Sequence, residues 1–244
     1  MKVSKEVVDQ LAQVTTATLS TLMLKDHGLA NTCIRNVRLV NEDGKGMAGP
    51  AYTMRYLPGR EDLLPEQWLN HPNNLMRVSV ESMSAGVIVV MDSSVHDDVG
   101  LLGGNLLARM ICRGVGGVVA DGGMRDRDEI RSMPIPVYCR SIVVPTSFPS
   151  LMLAGVQESV SCGGVTVFPD DIIVGDADGV VVVPAHLAES LAVAGLALDG
   201  IEQWVHLRLM AGAALDGLYP PDEQSTAQYH AWVEAGRPAD RLIV

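Results

Sequence analysis

The sequence predicts a layered α/β domain in which a Val-rich sheet is covered by helices, with helical segments at both ends of the chain. Three observations carry this. Apolar residues make up 48% of the 244 residues and aromatics only 4%, so the core must rest on Val, Leu, Ile, Ala and Met. Helical periodicity marks residues 4–25 and 186–215, whereas short Val-rich runs fill the middle. That middle passes from mixed strands and helices into a β-rich section after Gly164, which favours α/β or α+β layers over a regular doubly wound sheet. With no repeat, low-complexity tract or linker, residues 1–244 read as one domain with a sizeable core.

The elements follow in order. Val7, Val8, Leu11, Val14, Leu19 and Leu22 share helical spacing, and His27-Gly28 stops that single N-terminal helix. Met47 to Met54 is a short strand starting at Gly-Pro, and the prolines of residues 57–76 make that stretch mostly loop. Val87 to Met91 is a buried strand. Asn105 to Arg113 is a helix stopped by Gly114, and Gly117 to Asp121 is a buried strand ending in an acid. Asp126 to Met133 forms a short helix before Pro134, and Val137 to Arg140 another strand. Val165–Val167, Ile172–Val174 and Val180–Val183 are strands, with a tight turn at Asp178-Gly179. Residues 186–215 are helical, and a Pro-punctuated tail from Leu218 ends in an amphipathic piece.

Several function classes are disfavoured. A net charge of −11 argues against nucleic acid, which needs a basic surface. Four scattered cysteines without a CxxC pair argue against zinc ribbons and thioredoxin chemistry, and Cys112 and Cys139, inside apolar runs, read as buried thiols. No secretion signal and no membrane-length apolar run is seen, so a reduced, cytoplasmic protein is expected. Asp176-Ala-Asp178-Gly179 fails the calcium-loop spacing because Leu187 stands where a bidentate Glu is needed. All four lysines lie within the first 45 residues, which disfavours Schiff-base and P-loop chemistry. The histidines lack ligand spacing; His96, beside Asp97 and Asp98, is the one nearest a candidate site.

That candidate lies between Gly104 and Glu129. Gly103-Gly104-Asn105-Leu106-Leu107 runs from a loop into a helix, whose first N–H groups lack internal partners and carry the positive end of the helix dipole. Such an end can receive a carboxylate. The strand ending at Asp121 leads through Gly122-Gly123-Met124 to Arg125, whose planar fork suits a carboxylate. Asp126, with Asp121 and Glu129 nearby, offers hard oxygen ligands of the kind Mg²⁺ or Mn²⁺ prefers.

Gly104, twenty intervening residues, Arg125-Asp126, two residues and Glu129 reproduce the signature of the RraA-like family. The chain resembles that family from about residue 10 to 190. Matching segments include Thr15–Ser20, Met47–Ala51, Gly117–Gly123, Cys162–Val167 and Pro169–Val180. The family includes class II pyruvate aldolases acting on 4-hydroxy-4-methyl-2-oxoglutarate and 4-carboxy-4-hydroxy-2-oxoadipate. The resemblance implies a β/β/α layered, swivelling-domain-like fold. It also implies a homotrimer or homohexamer with sites between subunits, and a 200–244 extension packing at those interfaces. By position, Asp126 would bind a divalent metal such as Mg²⁺ or Mn²⁺, with Glu129 and Asp121 in or near the outer shell. Arg125 would grip a small 2-oxo acid, and backbone N–H groups of Asn105 to Leu107 would take its carboxylate. An acid of a neighbouring subunit would complete the site, with Glu189, Glu202 and Glu223 as candidates.

The implied activity is a lysine-free C–C lyase that releases pyruvate through a metal-stabilised enolate, a metal-linked water serving as base. Oxaloacetate decarboxylation passes through the same enolate. In one respect the chain departs from the pattern: aldolase relatives carry an acid directly after the motif glycine, and Asn105 stands here. A neutral amide holds metal-bound water less firmly. The alternative is a non-catalytic regulator binding a ribonuclease, as some family members do, although those lack the full Arg-Asp signature. A menaquinone methyltransferase is disfavoured because no Gly-rich S-adenosylmethionine loop follows the first strand.

Overall fold

A computed structural model describes residues 3–41, 46–63, 70–94 and 96–238. Two helices, α1 (Lys5–Leu11) and α2 (Thr16–His27), stand where the sequence predicts one. Thr15 makes the break: its hydroxyl accepts the Thr18 N–H as the N-cap of α2. Asp176 also accepts the N–H and hydroxyl of Thr16, each at 2.8 Å. Side chains that bind backbone donors in this way compete with continuation of a helix. Gly28 ends α2 in the left-handed conformation, as the sequence predicts.

Strands β1 (Cys33–Ile34), β2 (Arg38–Leu39) and β3 (Met47–Pro58) precede helix α3 (Leu75–Ser82). Alternating strands and helices follow: β4 (Ile88–Asp92), α4 (Gly104–Cys112), β5 (Gly117–Met124), α5 (Arg127–Arg131) and β6 (Val137–Ile142). A β-rich section holds β7 (Leu151–Val156), β8 (Val160–Cys162), β9 (Val165–Val167), β10 (Ile172–Gly175) and β11 (Val180–Val183). The chain closes with α6 (Ala188–Met210) and α7 (Glu223–Glu234). The predicted boundary at residue 200 therefore falls inside α6. The tail folds back on that helix, with Trp204 beside Tyr229 at 6.0 Å between ring centroids. No element is read from the sequence at α3, β7 or β8.

The order β1-β11-β10-β3-β4-β5-β6-β2 makes one curled sheet, with β7 added to β3. β3 to β6 run parallel, whereas β3 pairs antiparallel with β10 through its first half and with β7 through its last. β8 and β9 form a separate hairpin. The Val-rich runs are explained by burial on both faces. In β4, Val89 and Met91 face a core shared with α3 and α4, while Ile88 and Val90 face a second core shared with β8 to β11. In β11, Val180 and Val182 join that second core, while Val181 and Val183 face α1, α2 and α6 in a third. The layered α/β fold expected from the sequence is thus observed. The Asp176–Gly179 stretch is a tight turn, the Asp176 carboxylate accepting the Asp178 N–H at 2.9 Å. No helix among the described residues is long and apolar enough to cross a membrane.

Candidate active site

The parallel strands β4 and β5 end on the same side, where right-handed α/β units gather their ligand sites. β5 extends beyond the predicted end at Asp121, through Gly122 and Gly123 to Met124, with a register shift against β6 between Ala120 and Gly123. Alongside it runs the segment 100–103. Leu101 N–H donates to Gly123 O at 2.9 Å, and Arg125 N–H donates to Leu102 O at 3.0 Å. Three glycines allow the close approach. An added Cβ at Gly100 would overlap the Arg125 stem, one at Gly103 the Asp126 carboxylate, and one at Gly104 the Glu129 carboxylate. The spacing from Gly104 to Arg125, Asp126 and Glu129 is therefore a packing register between two chain segments.

Asp126 adopts the left-handed conformation at φ 64°, ψ 50°, a strain that Asp tolerates better than most residues. It stands at the N-cap of α5 without capping that helix. Instead its Oδ2 accepts the Gly104 N–H of α4 at 2.8 Å. The Leu107 N–H donates to Gly103 O at 3.2 Å, so it is engaged within its own helix. The N–H groups of Asn105 and Leu106 are left without an acceptor among the described residues. Leu107 itself is buried in the first core and does not reach the cavity, which corrects its assignment as a carboxylate donor.

A cavity of about 470 Å³ opens here, lined by Gly103, Asn105, Leu106, Arg125 and Asp126 on its charged side. The Arg125 guanidinium has no hydrogen-bonding or ionic partner among the described residues, and Arg125 and Asp126 are the charged residues of the lining. Facing Arg125 and two open N–H donors, a carboxylate would meet charge-assisted hydrogen bonds.

The donor set fits a divalent cation of the Mg²⁺ type. Asp126 is exposed and has one carboxylate oxygen engaged by Gly104, and the exposed Glu129 carboxylate packs against the same glycine. Among the described residues no group of three His, Cys, Asp or Glu surrounds this point. One or two carboxylates with water and substrate oxygens are what Mg²⁺ accepts, whereas structural zinc needs a closed protein shell.

Asp121 is not brought to this cavity. Its side chain lies on the other face of β5, buried, where it pairs with Arg140 and accepts the Gly163 N–H at 2.7 Å. The glycines after it let β5 continue, and strand alternation puts Asp121 on the face opposite Ala120 and Met124, so an acid close to Arg125 in sequence is remote from it in role. His96 sits near Asp98, at 3.7 Å, and does not line the cavity. Cys112 is exposed at the end of α4, contrary to the expectation of burial, while Cys139 is buried as expected. Glu189, Glu202 and Glu223 do not line the cavity of their own chain.

Several lining residues escaped the sequence reading, among them Tyr56, Asn74, Met76, Ser147 and Leu153. Tyr56, near the end of β3, forms part of the wall, and burial pushes its phenol well above the ordinary value. A Tyr within an apolar strand carries no sequence signal that separates packing from ligand contact.

The fold places a concave cavity at the ends of parallel strands, with Arg125 and Asp126 on one side of it. The chain belongs to the RraA-like family (Aldolase/RraA), whose sequence pattern matches residues 6–182. It is 27% identical, over 77% of its length and 82% of the relative's, to a Halalkalibacterium halodurans protein provisionally named 4-hydroxy-4-methyl-2-oxoglutarate aldolase. A Thermus thermophilus 4-hydroxy-4-methyl-2-oxoglutarate aldolase is 30% identical over 46% of this chain and 68% of its own. Among solved structures, RraAS2 of Streptomyces coelicolor, an unusual member of the RNase ES inhibitor RraA family, matches with a TM-score of 0.75. That match is 25% identical and covers 84% of this chain and 98% of the other. An uncharacterized Pseudomonas syringae protein shares the fold with a TM-score of 0.76 at 22% identity, over 90% of this chain and 99% of its own.

Proposed function

We propose that this chain is a divalent-metal-dependent C–C lyase that releases pyruvate from 4-hydroxy-2-oxo acids and decarboxylates oxaloacetate as a second activity. The observation that carries this reading is the convergence on one cavity of Arg125, the open N–H groups of Asn105 and Leu106, and the exposed Asp126 carboxylate. Family membership and the aldolase-named relatives support the reaction class. Among the described residues the cavity lining contains no lysine, which agrees with a route that avoids a Schiff base.

The substrate carboxylate sits on the first turn of α4, with Arg125 bracing it and the 2-oxo oxygen. Asp126 would hold the metal, with Glu129 beside it, and when bound the metal supplies Lewis-acid polarisation of the 2-oxo group. Arg125 and the α4 dipole then favour the negative charge that develops on the 2-oxo acid half. The C3–C4 bond breaks as the 4-hydroxyl proton passes to water on the open side of the cavity. Its electron pair stays with C3, which takes up a proton, giving pyruvate and a carbonyl compound. With oxaloacetate, carbon dioxide leaves in place of the carbonyl compound. The active species is a cytoplasmic homotrimer or a hexamer of two trimers, in which Glu189, Glu202 or Glu223 of a neighbour reaches the cavity and the tail lies at the interface.

A coupled pyruvate-release assay over a panel of 2-oxo acids, with Mg²⁺ and with EDTA, tests this. Release that depends on Mg²⁺ and is lost in Arg125→Ala and Asp126→Ala is the expected result. Turnover surviving both substitutions in a folded protein overturns it. The likeness to RraAS2 favours one second reading, a regulator that binds a ribonuclease. Tight capture of ribonuclease E without turnover of any 2-oxo acid would establish that reading instead.

A further inference from the structure

The Arg125 side chain has a neighbour from a segment outside the 104–129 signature. Gly100 forms parallel β-bridges with Gly123 and with Thr146. Two hydrogen bonds hold the second bridge: the Gly100 N–H donates to Pro145 O at 2.9 Å, and the Ser147 N–H donates to Gly100 O at 3.0 Å. A Cβ added at Gly100 would overlap Cγ and Cδ of Arg125, so the arginine stem crosses Gly100 where a side chain would otherwise stand. Directly paired residues of adjacent strands turn their side chains to the same face, with Cβ positions about 5 Å apart. The Thr146 side chain therefore lies beside the Arg125 stem. Both residues line the cavity, and Thr146 is exposed. Its hydroxyl has no hydrogen-bond partner among the described residues.

We propose that Thr146 is a second side-chain anchor for the carboxylate that Arg125 holds, its hydroxyl donating to a carboxylate oxygen beside the guanidinium. The proposal rests on the reading of Arg125 as the anchor of the 2-oxo acid end. A carboxylate has about four lone-pair sites, more than one arginine fork engages, and a hydroxyl bound to an ionised oxygen is stronger than one bound to a neutral group. The pair is set before a ligand arrives. Main-chain hydrogen bonds fix residues 145–147 on Gly100, and the bare Gly100 backbone lets the Arg125 stem lie against the same segment. Such preorganisation lowers the ordering cost of binding. A packing role would use the other branch of the side chain, the methyl group resting on the arginine stem. The two roles thus assign the work to different atoms of one residue.

Calorimetric titration of pyruvate in the presence of Mg²⁺ separates them, because valine keeps the shape and methyl of threonine whereas serine keeps the hydroxyl. Thr146→Val should weaken pyruvate ~3- to 10-fold, and Thr146→Ser should stay within ~2-fold of the wild type. The carboxylate contact persists through the reaction, so in turnover Thr146→Val should raise KM and leave kcat nearly unchanged. Gly100→Ala should push the Arg125 stem away from Thr146, and adding Thr146→Val to it should cost less than ~2-fold further. Unchanged affinity in Thr146→Val, a Thr146→Ser protein as weak as Thr146→Val, or additive effects with Gly100→Ala would each overturn the assignment while leaving the lyase reading intact. No pyruvate binding by the wild-type protein overturns both. The expected ranking together with no pyruvate release from any 4-hydroxy-2-oxo acid would sink the lyase and keep Thr146 as a carboxylate anchor.

Discussion

Asp121 and Asp126 leave the end of one strand on opposite faces, and their surroundings differ in most physical respects. Asp121 is buried within β5, with one oxygen on Arg140 and the other on the Gly163 N–H. It ties the β8–β9 hairpin to the sheet. Asp126 is exposed, sits in a left-handed backbone conformation and has one oxygen engaged by the Gly104 N–H. Backbone strain of this kind costs of order 1–3 kcal/mol and persists where the surroundings enforce it. The contrast shows what separates a structural acid from a reactive one: Asp121 has both oxygens engaged and is closed off from solvent, and Asp126 keeps one oxygen without a protein donor at the rim of a cavity.

The largest expected effect is on Asp126. Asp126→Asn keeps a side chain that tolerates the left-handed conformation and an oxygen for the Gly104 N–H, but removes the charge. Pyruvate release should fall ~10³-fold, about 4 kcal/mol of barrier, with the thermal midpoint almost unchanged. Asp121→Ala should do the reverse. It leaves Arg140 buried without its partner, so urea titration should show a loss of about 3 kcal/mol, with turnover per folded molecule retained. Combining it with Arg140→Met should recover part of that loss. If Asp121→Ala instead abolished turnover in a stable protein, the division between the two faces would fail.

Glycines give a finer version of the same comparison. At Gly163 the backbone has φ 55°, and a Cβ would overlap the Arg35 backbone, which cannot move aside cheaply. Gly163→Ala should therefore cost about 2 kcal/mol, from the left-handed conformation and the overlap together. At Gly104 the obstacle is the end of the Glu129 side chain, which can swing away. Gly104→Ala should fold with little loss, and the Mg²⁺ concentration for half-maximal rate should rise roughly 5-fold as Glu129 is displaced, about 1 kcal/mol. A Gly104→Ala protein as unstable as Gly163→Ala would show that the signature glycine serves the fold rather than the site.

The sequence made parts of this legible for identifiable reasons. Val180–Val183 reads as a strand because both faces are buried, and Gly28 and Gly114 mark helix ends because their φ values are positive. Gly104, Arg125, Asp126 and Glu129 meet because their spacing is a packing register. The rest needed three dimensions. Nothing local shows that β5 runs on through Gly122 and Gly123, and that extension is what puts Asp121 and Asp126 on different faces. The break at Thr15 depends partly on Asp176, distant in sequence. Tyr56 is a lining residue because β7 pairs with β3 and α3 packs nearby, and the sequence marks neither neighbour.

The smallest expected effect concerns access to the Asp121 face. Burial pushes the Cys139 thiol up to about 11. Cys162 is held well above the ordinary thiol range, first by burial and then by the charges of Asp121 and Asp92, with Arg140 opposing. Burial disfavours a thiolate, so both thiols stay protonated and unreactive at about pH 8. Their raised values mean that folding favours the protonated form; native stability is full below about pH 9, the unfolded thiol range, and declines as pH rises toward 11. Iodoacetamide at about pH 8 should label the exposed Cys112 first and the half-buried Cys33 slowly, leaving Cys139 and Cys162 unmodified. Cys112 does not line the cavity, so its alkylation should leave pyruvate release unchanged. Asp121→Asn should leave Cys162 unlabelled as well, because burial outweighs the charge that is removed. Ready labelling of Cys162 in the folded wild-type protein would mean that water reaches the Asp121 face, and an acid there could no longer be assigned to structure by its burial.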